Sequence, residues 1–89
     1  MERSEILKNA LKHYGANSQR IVAIEEMSEL TKELCKVARC EENIAHIAEE
    51  IADVRIMLDQ LQIMFDCSGK VAEYEAAKVE RLRKRLEDT

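Results

Sequence analysis

Residues 44–65, IAHIAEEIADVRIMLDQLQIMF, decide the fold. Ile44, Ile47, Ile51, Val54, Leu58, Leu61 and Phe65 follow one another at steps of three and four. That spacing lines up one face of an α-helix. It persists long enough to make a heptad seam, which Ala48, Ala52, Ile56 and Ile63 widen. The pattern predicts a helix over about 43–66 at the centre of the core. Small alanines beside large Ile and Leu permit close helix approach.

Working upstream, Arg39–Asn43 is polar and weakly periodic, which predicts a short turn although it has neither Gly nor Pro. Before it, Ala23, Met27, Leu30, Leu34, Val37 and Ala38 form one apolar stripe, predicting a helix from about 18 to 38. Gly15 closes a first helix over 3–14, whose apolar positions are Ile6, Leu7, Ala10, Leu11 and Tyr14, and Asn17 or Ser18 is placed to cap the second. Downstream, Ser68-Gly69 breaks the seam. A fourth helix then runs to about 87, with Val71, Tyr74, Ala77 or Lys78, Leu82 and Leu86 facing inward. Short connections favour antiparallel neighbours. The expectation is an all-α single domain over residues 1–89.

Composition agrees. The 89 residues contain no proline and two glycines, with 46% hydrophobic and 36% charged positions. The apolar share is too high for a disordered chain, and the turn chemistry too sparse for a sheet protein. So short a chain buries only about 60–65% of its extended surface, so its own core is small and association with copies of itself is expected. A net charge of -4 argues against nucleic acid as the main partner. The basic residues gather late, in Lys70, Lys78, Arg81, Arg83, Lys84 and Arg85. No apolar run approaches a membrane span, and no apolar signal segment follows Met1. Cys35, Cys40 and Cys67 are odd in number and share no ligand spacing with His13 or His46. They read as reduced thiols of a cytoplasmic chain.

The acids carry the chemical signal. Glu26, Glu29 and Glu33 share one face of the second helix, beside its apolar stripe. Glu50 and Asp53 repeat the arrangement on the third, with Glu50 flanking the seam. On antiparallel helices the two pairs converge at the edge of the core. Such a cluster is costly without a cation, and oxygen-only ligands suit Mg²⁺ or Mn²⁺ better than zinc. The plain reading of the spacing alone is a set of solvated acidic faces.

Glu25-Glu26-Met27-Ser28-Glu29-Leu30 followed by Glu49-Glu50-Ile51-Ala52-Asp53-Val54 resembles the two signature segments of the MazG-like all-α nucleoside triphosphate pyrophosphohydrolases. The resemblance extends through Tyr14-Gly15, Gln19 and Met57–Leu61 to Tyr74, Lys78, Arg81 and Leu82. The compact form is similar to members from bacteriophages and bacteria. It implies a four-helix MazG-like bundle completed by homo-oligomerisation, as a homodimer or homotetramer. It also implies hydrolysis of an NTP or dNTP between the α and β phosphates, giving a monophosphate and pyrophosphate. Mg²⁺, with Mn²⁺ as a substitute, would be held by Glu26, Glu29, Glu50 and Asp53. Glu29 and Glu50 are the candidate catalytic carboxylates, with Glu29 the candidate base.

Lys78 and Arg81, three apart on the last helix, are candidates to meet the triphosphate, and Gln19 to contact substrate. Tyr14, Asn43 and His46 are weaker candidates for a base pocket. Their plain readings are helix packing, capping of the third helix and a surface position. Glu25 and Glu49 point elsewhere, and Glu33 reads as a solvated or outer acid. The rival expectations are a phosphoribosyl-ATP pyrophosphatase, a dUTP- or dCTP-specific pyrophosphatase, and a non-enzymatic helical interaction protein.

Overall fold

The computed structural model describes residues 1–39 and 43–88. Cys40 and the middle of the expected turn lie outside them. The described chain is all-helical: α1 (Arg3–Tyr14), α2 (Ala16–Ala38), α3 (Ile44–Met64) and α4 (Ser68–Glu87). None of these helices is long and apolar enough to cross a membrane.

The boundaries follow local chemistry, with two corrections. Gly15 separates α1 from α2 at φ 91°, where an L side chain would be strained. Its amide closes on Leu11 and its carbonyl accepts from Gln19, so α2 starts at once, without Asn17 or Ser18 as cap. The α3–α4 turn is made before Ser68-Gly69, by Asp66 at φ 50°. The Asp66 amide donates to Ile63 and the Cys67 amide to Gln62. This is the Schellman arrangement, with Asp in the left-handed position that usually takes Gly. Gly69 is simply inside α4.

The α2 and α3 helices run antiparallel, since Glu33 meets Asn43 while Glu26, earlier in α2, meets Glu50 and Asp53 further along α3. α1 packs on both, tied to α3 by an exposed Arg3–Asp59 pair at 2.7 Å. Each of these three helices contributes one buried apolar residue, Leu7, Ala23 and Met57. Among the described residues no large side chain is wholly buried.

The seam expected at the core centre is only partly covered: Ile47, Val54 and Leu61 are half-buried and the rest is exposed. Ile44 is 78% exposed and Phe65 62%, with Ile51 and Leu58 also exposed. The reason is rotational: the α3 face that meets Glu26 and Glu33 of α2 carries Asn43, His46, Glu50 and Asp53, roughly a quarter turn round the helix from the seam. The fourth helix departs further from expectation. It packs against α3 alone, where Val71 and Glu75 approach Leu58, Leu61 and Phe65, and none of its residues is buried. Tyr74, Leu82 and Leu86, expected inside, are exposed.

The molecule is therefore open. Its radius of gyration is 16.1 Å, against about 12 Å for a compact chain of this length. Its accessible area is 7110 Å², against about 5,400 Å² for a compact monomer of this mass.

Candidate functional site

The interface between α2 and α3 is built in layers one heptad apart. Gln19, Glu26 and Glu33 are spaced by seven on α2. Asn43, Glu50 and Met57 are spaced by seven on α3, as are His46, Asp53 and Gln60. Seven residues advance a helix by about 10.5 Å and return it to nearly the same face. Antiparallel pairing therefore gives an acid layer of Glu26, Glu50 and Asp53. On one side of it lies a polar layer of Glu33, Asn43 and His46. On the other, the same step sets Gln19 at the level of Met57 and Gln60, all three buried.

In the acid layer one carboxylate oxygen from each residue lies within 4.8 Å of the others. All three side chains are half-buried. Among the described residues no cationic side chain pairs with them, and the buried Glu50 Oε2 has no hydrogen-bond partner. Burial, then the Asp53 and Glu50 carboxylates, pushes Glu26 above the ordinary glutamate range. Burial, then Asp53, Glu29 and Glu49, pushes Glu50 up as well. Physically, three like charges at partial burial share too little water and no counter-charge. The donor set is oxygen-only and comes from two helices, with one oxygen unsatisfied. That set fits a hard divalent cation.

The polar layer has the opposite balance. Glu33 is only 7% exposed. Its Oε1 accepts from Lys36 Nζ at 3.1 Å, its Oε2 accepts from Asn43 Nδ2, and His46 Nδ1 stands 3.9 Å from Oε2. Asn43 Nδ2 also donates to the Glu33 carbonyl at 3.3 Å. Lys36 and Asn43 hold Glu33 below the ordinary range against the burial that raises it.

Of the residues expected at the site, Glu26, Glu50 and Asp53 converge. Glu29 is exposed and is not one of the converging three, although its charge acts on Glu50. Gln19 is buried on the same face of α2, one heptad before Glu26. Lys78 and Arg81 are exposed on α4, which touches only α3. Glu25 and Glu49 face solvent, as expected.

Three readings change. Glu33 is buried and bonded, not solvated. Asn43 stands at the N-cap position of α3, but its side chain bonds Glu33 and caps nothing. Tyr14 is exposed, its ring edge-on to His13 at 4.6 Å between centroids, so it does not join Gln19 in a pocket. Gln60, 3% exposed with Oε1 unpartnered, falls within the Met57–Leu61 resemblance but was given no role by the sequence. Its signal was the heptad step from Asp53, hidden because the apolar seam dominates the periodicity.

The remaining basic residues behave as a solvated face, with Arg83 bonded to Glu80 and Glu87 along α4. Cys35 is free and exposed, and Cys67 is free and half-buried. Compared with family models, curated proteins and solved structures, the chain gives no match.

Proposed function

We propose that this chain is a divalent-cation-dependent nucleoside triphosphate pyrophosphohydrolase that works as a homo-oligomer. The observation that carries the reading is the convergence of Glu26, Glu50 and Asp53, with a buried carboxylate oxygen left unpartnered. The signature-like spacing of the same residues, with Glu29, supports it. The three carboxylates, helped by Glu29, would hold Mg²⁺ or Mn²⁺, which supplies charge neutralisation for a triphosphate and acidifies water. Glu29, exposed beside the cluster, is free to accept a proton from water. Lys78 and Arg81 carry the positive charge that an all-carboxylate site lacks. Hydrolysis at the α–β bond to a monophosphate and pyrophosphate is the reaction this set suits.

Association is supported by the open shape. Ile44, Ile51, Leu58 and Phe65 of the α3 seam and the α4 side chains Val79, Leu82 and Leu86 are left exposed. The accessible area exceeds that of a compact monomer by about 1,700 Å², the scale of one partner's share in a large stable interface. The exposed seam also favours a second reading, a helical interaction protein. That reading leaves the carboxylate convergence without a role.

The test is incubation of the purified protein with each common NTP and dNTP plus Mg²⁺, beside a Glu50→Gln variant. The expected result is monophosphate and pyrophosphate from the wild type and little from the variant. No monophosphate from any substrate, or equal turnover by the variant, overturns the reading. The same panel separates a general enzyme from a dUTP- or dCTP-specific one, and phosphoribosyl-ATP is added as a further substrate.

A further inference from the structure

We propose that Glu33 and Asn43 are positioning residues: their hydrogen bond sets the register of α2 against α3 and so brings Glu26 to Glu50 and Asp53.

Something has to set that register. Among the described residues of these two helices, the buried apolar side chains are small or pliable, Ala23 and Met57, and no large side chain is wholly enclosed. Alanine and methionine specify a helix pair weakly, since neither presents a stiff, shaped knob. The acid layer acts against association, because its three carboxylates repel where they meet. One heptad away, the polar layer joins the same two faces with the reverse electrostatics. Glu33 accepts from Asn43 Nδ2 across the interface while Lys36 neutralises its other oxygen.

This bond is also demanding about geometry. Asn43 Nδ2 reaches both the Glu33 carboxylate and the Glu33 backbone carbonyl. A slip of one residue, or a rotation of α3 about its axis, breaks both. Asn43 Oδ1 stays buried without a partner, a cost a purely stabilising contact would avoid. Buried polar pairs that cost stability and select one register are an established device in paired helices. Because Asn43 and Glu50 are seven apart on one face, as are Glu33 and Glu26, fixing one layer fixes the next.

The experiment uses the full chain with spin labels on exposed Ser28 of α2 and Arg55 of α3, the native cysteines being replaced. The distance distribution between labels reads the register directly. Mn²⁺ affinity reads its consequence at the acid layer and rests on the functional reading above, whereas the distance does not. Glu33→Ala and Asn43→Ala are expected to broaden the distribution and weaken Mn²⁺ binding by about 10-fold, the scale on which outer partners tune a metal site. Glu33→Gln keeps an acceptor for Asn43 and is expected to restore the narrow distribution. A generic packing role would not separate Gln from Ala in this way. An unchanged distribution in both alanine variants, or a Glu33→Gln distribution as broad as that of Glu33→Ala, overturns the proposal. If an alanine variant loses its helical circular dichroism, Glu33→Gln is read against the wild type: an equally narrow distribution supports the proposal, and a broadened one overturns it. Absence of Mn²⁺ binding by the wild type overturns the cation reading and leaves the distance measurement to decide the register.

Discussion

The acid layer and the polar layer occupy the same faces of the same two helices, one heptad apart, yet they titrate in opposite directions. Glu26 and Glu50 are pushed up by burial and by each other's neighbours. Glu33 is held down, chiefly by Lys36 and then by Asn43. Glu33 is the more buried, so burial alone would not hold it down, and the difference lies in the partners. The polar layer carries its own cation and an amide donor. The acid layer has carboxylates only, and one oxygen of Glu50 bonds nothing. The helix pair thus satisfies a buried acid at one level and, among the described residues, leaves the acids of the next without a counter-charge, which is what the proposed cation would supply.

The comparison breaks first on activity. Glu50→Gln is expected to lower pyrophosphate release by at least about 100-fold, the lower end of what a positioned acid or base contributes. Glu33→Gln, with its hydrogen bond kept, should stay within a few-fold of the wild type. Equal losses in the two variants would show that the layers do the same work.

Cation linkage comes next. Mg²⁺ at one hundred times its dissociation constant should stabilise the wild type by about 2.7 kcal/mol, read as a shift of the urea midpoint. Glu50→Gln should show a much smaller shift. A full shift in that variant would move the cation away from the acid layer.

The pH dependence sharpens the contrast through its sign. Carboxyls whose folded pKa is raised penalise the folded state when ionised, and the penalty is relieved as pH falls through the raised value. Glu26 and Glu50 therefore make the metal-free chain more stable on going from neutrality toward the upper carboxylate range. Glu33 and Glu80 are lowered, so their contribution is present above the ordinary carboxyl pKa and lost as pH falls below it. Urea midpoints measured against pH should first rise on acidification and then fall. Saturating Mg²⁺ should remove the rise. A monotonic fall without metal would contradict the acid layer.

The smallest effect serves as the control. Arg3→Ala breaks an exposed pair with Asp59, outside both layers. It should cost about 0.5 kcal/mol and leave Mg²⁺ binding unchanged.

Much of this was legible in the sequence. Four helices, their approximate limits and the approach of Glu26 to Glu50 and Asp53 follow from spacings of three, four and seven, because a helix turns spacing into faces. The α3–α4 turn was misplaced because Ser68-Gly69 has the stronger punctuation, while the chain uses the left-handed tolerance of Asp66. Glu33 was misread because an acid in an acidic helix has solvent as its ordinary partner. Its real partner, Asn43, lies ten residues away, across the turn between helices.

By itself the sequence determined the helices and which residues share each face, since both depend on local propensity and a fixed period of 3.6 residues. It did not determine which face meets which. The Ile44–Phe65 seam is the more regular apolar row, yet it is the neighbouring face of α3, with Asn43, His46, Glu50 and Asp53, that carries the polar contacts with α2. Only the tertiary structure decided that, because the rotation of one helix against another depends on polar partners brought together from distant positions. The same rotation brings Asn43 of α3 to Glu33 and leaves Glu50 among carboxylates.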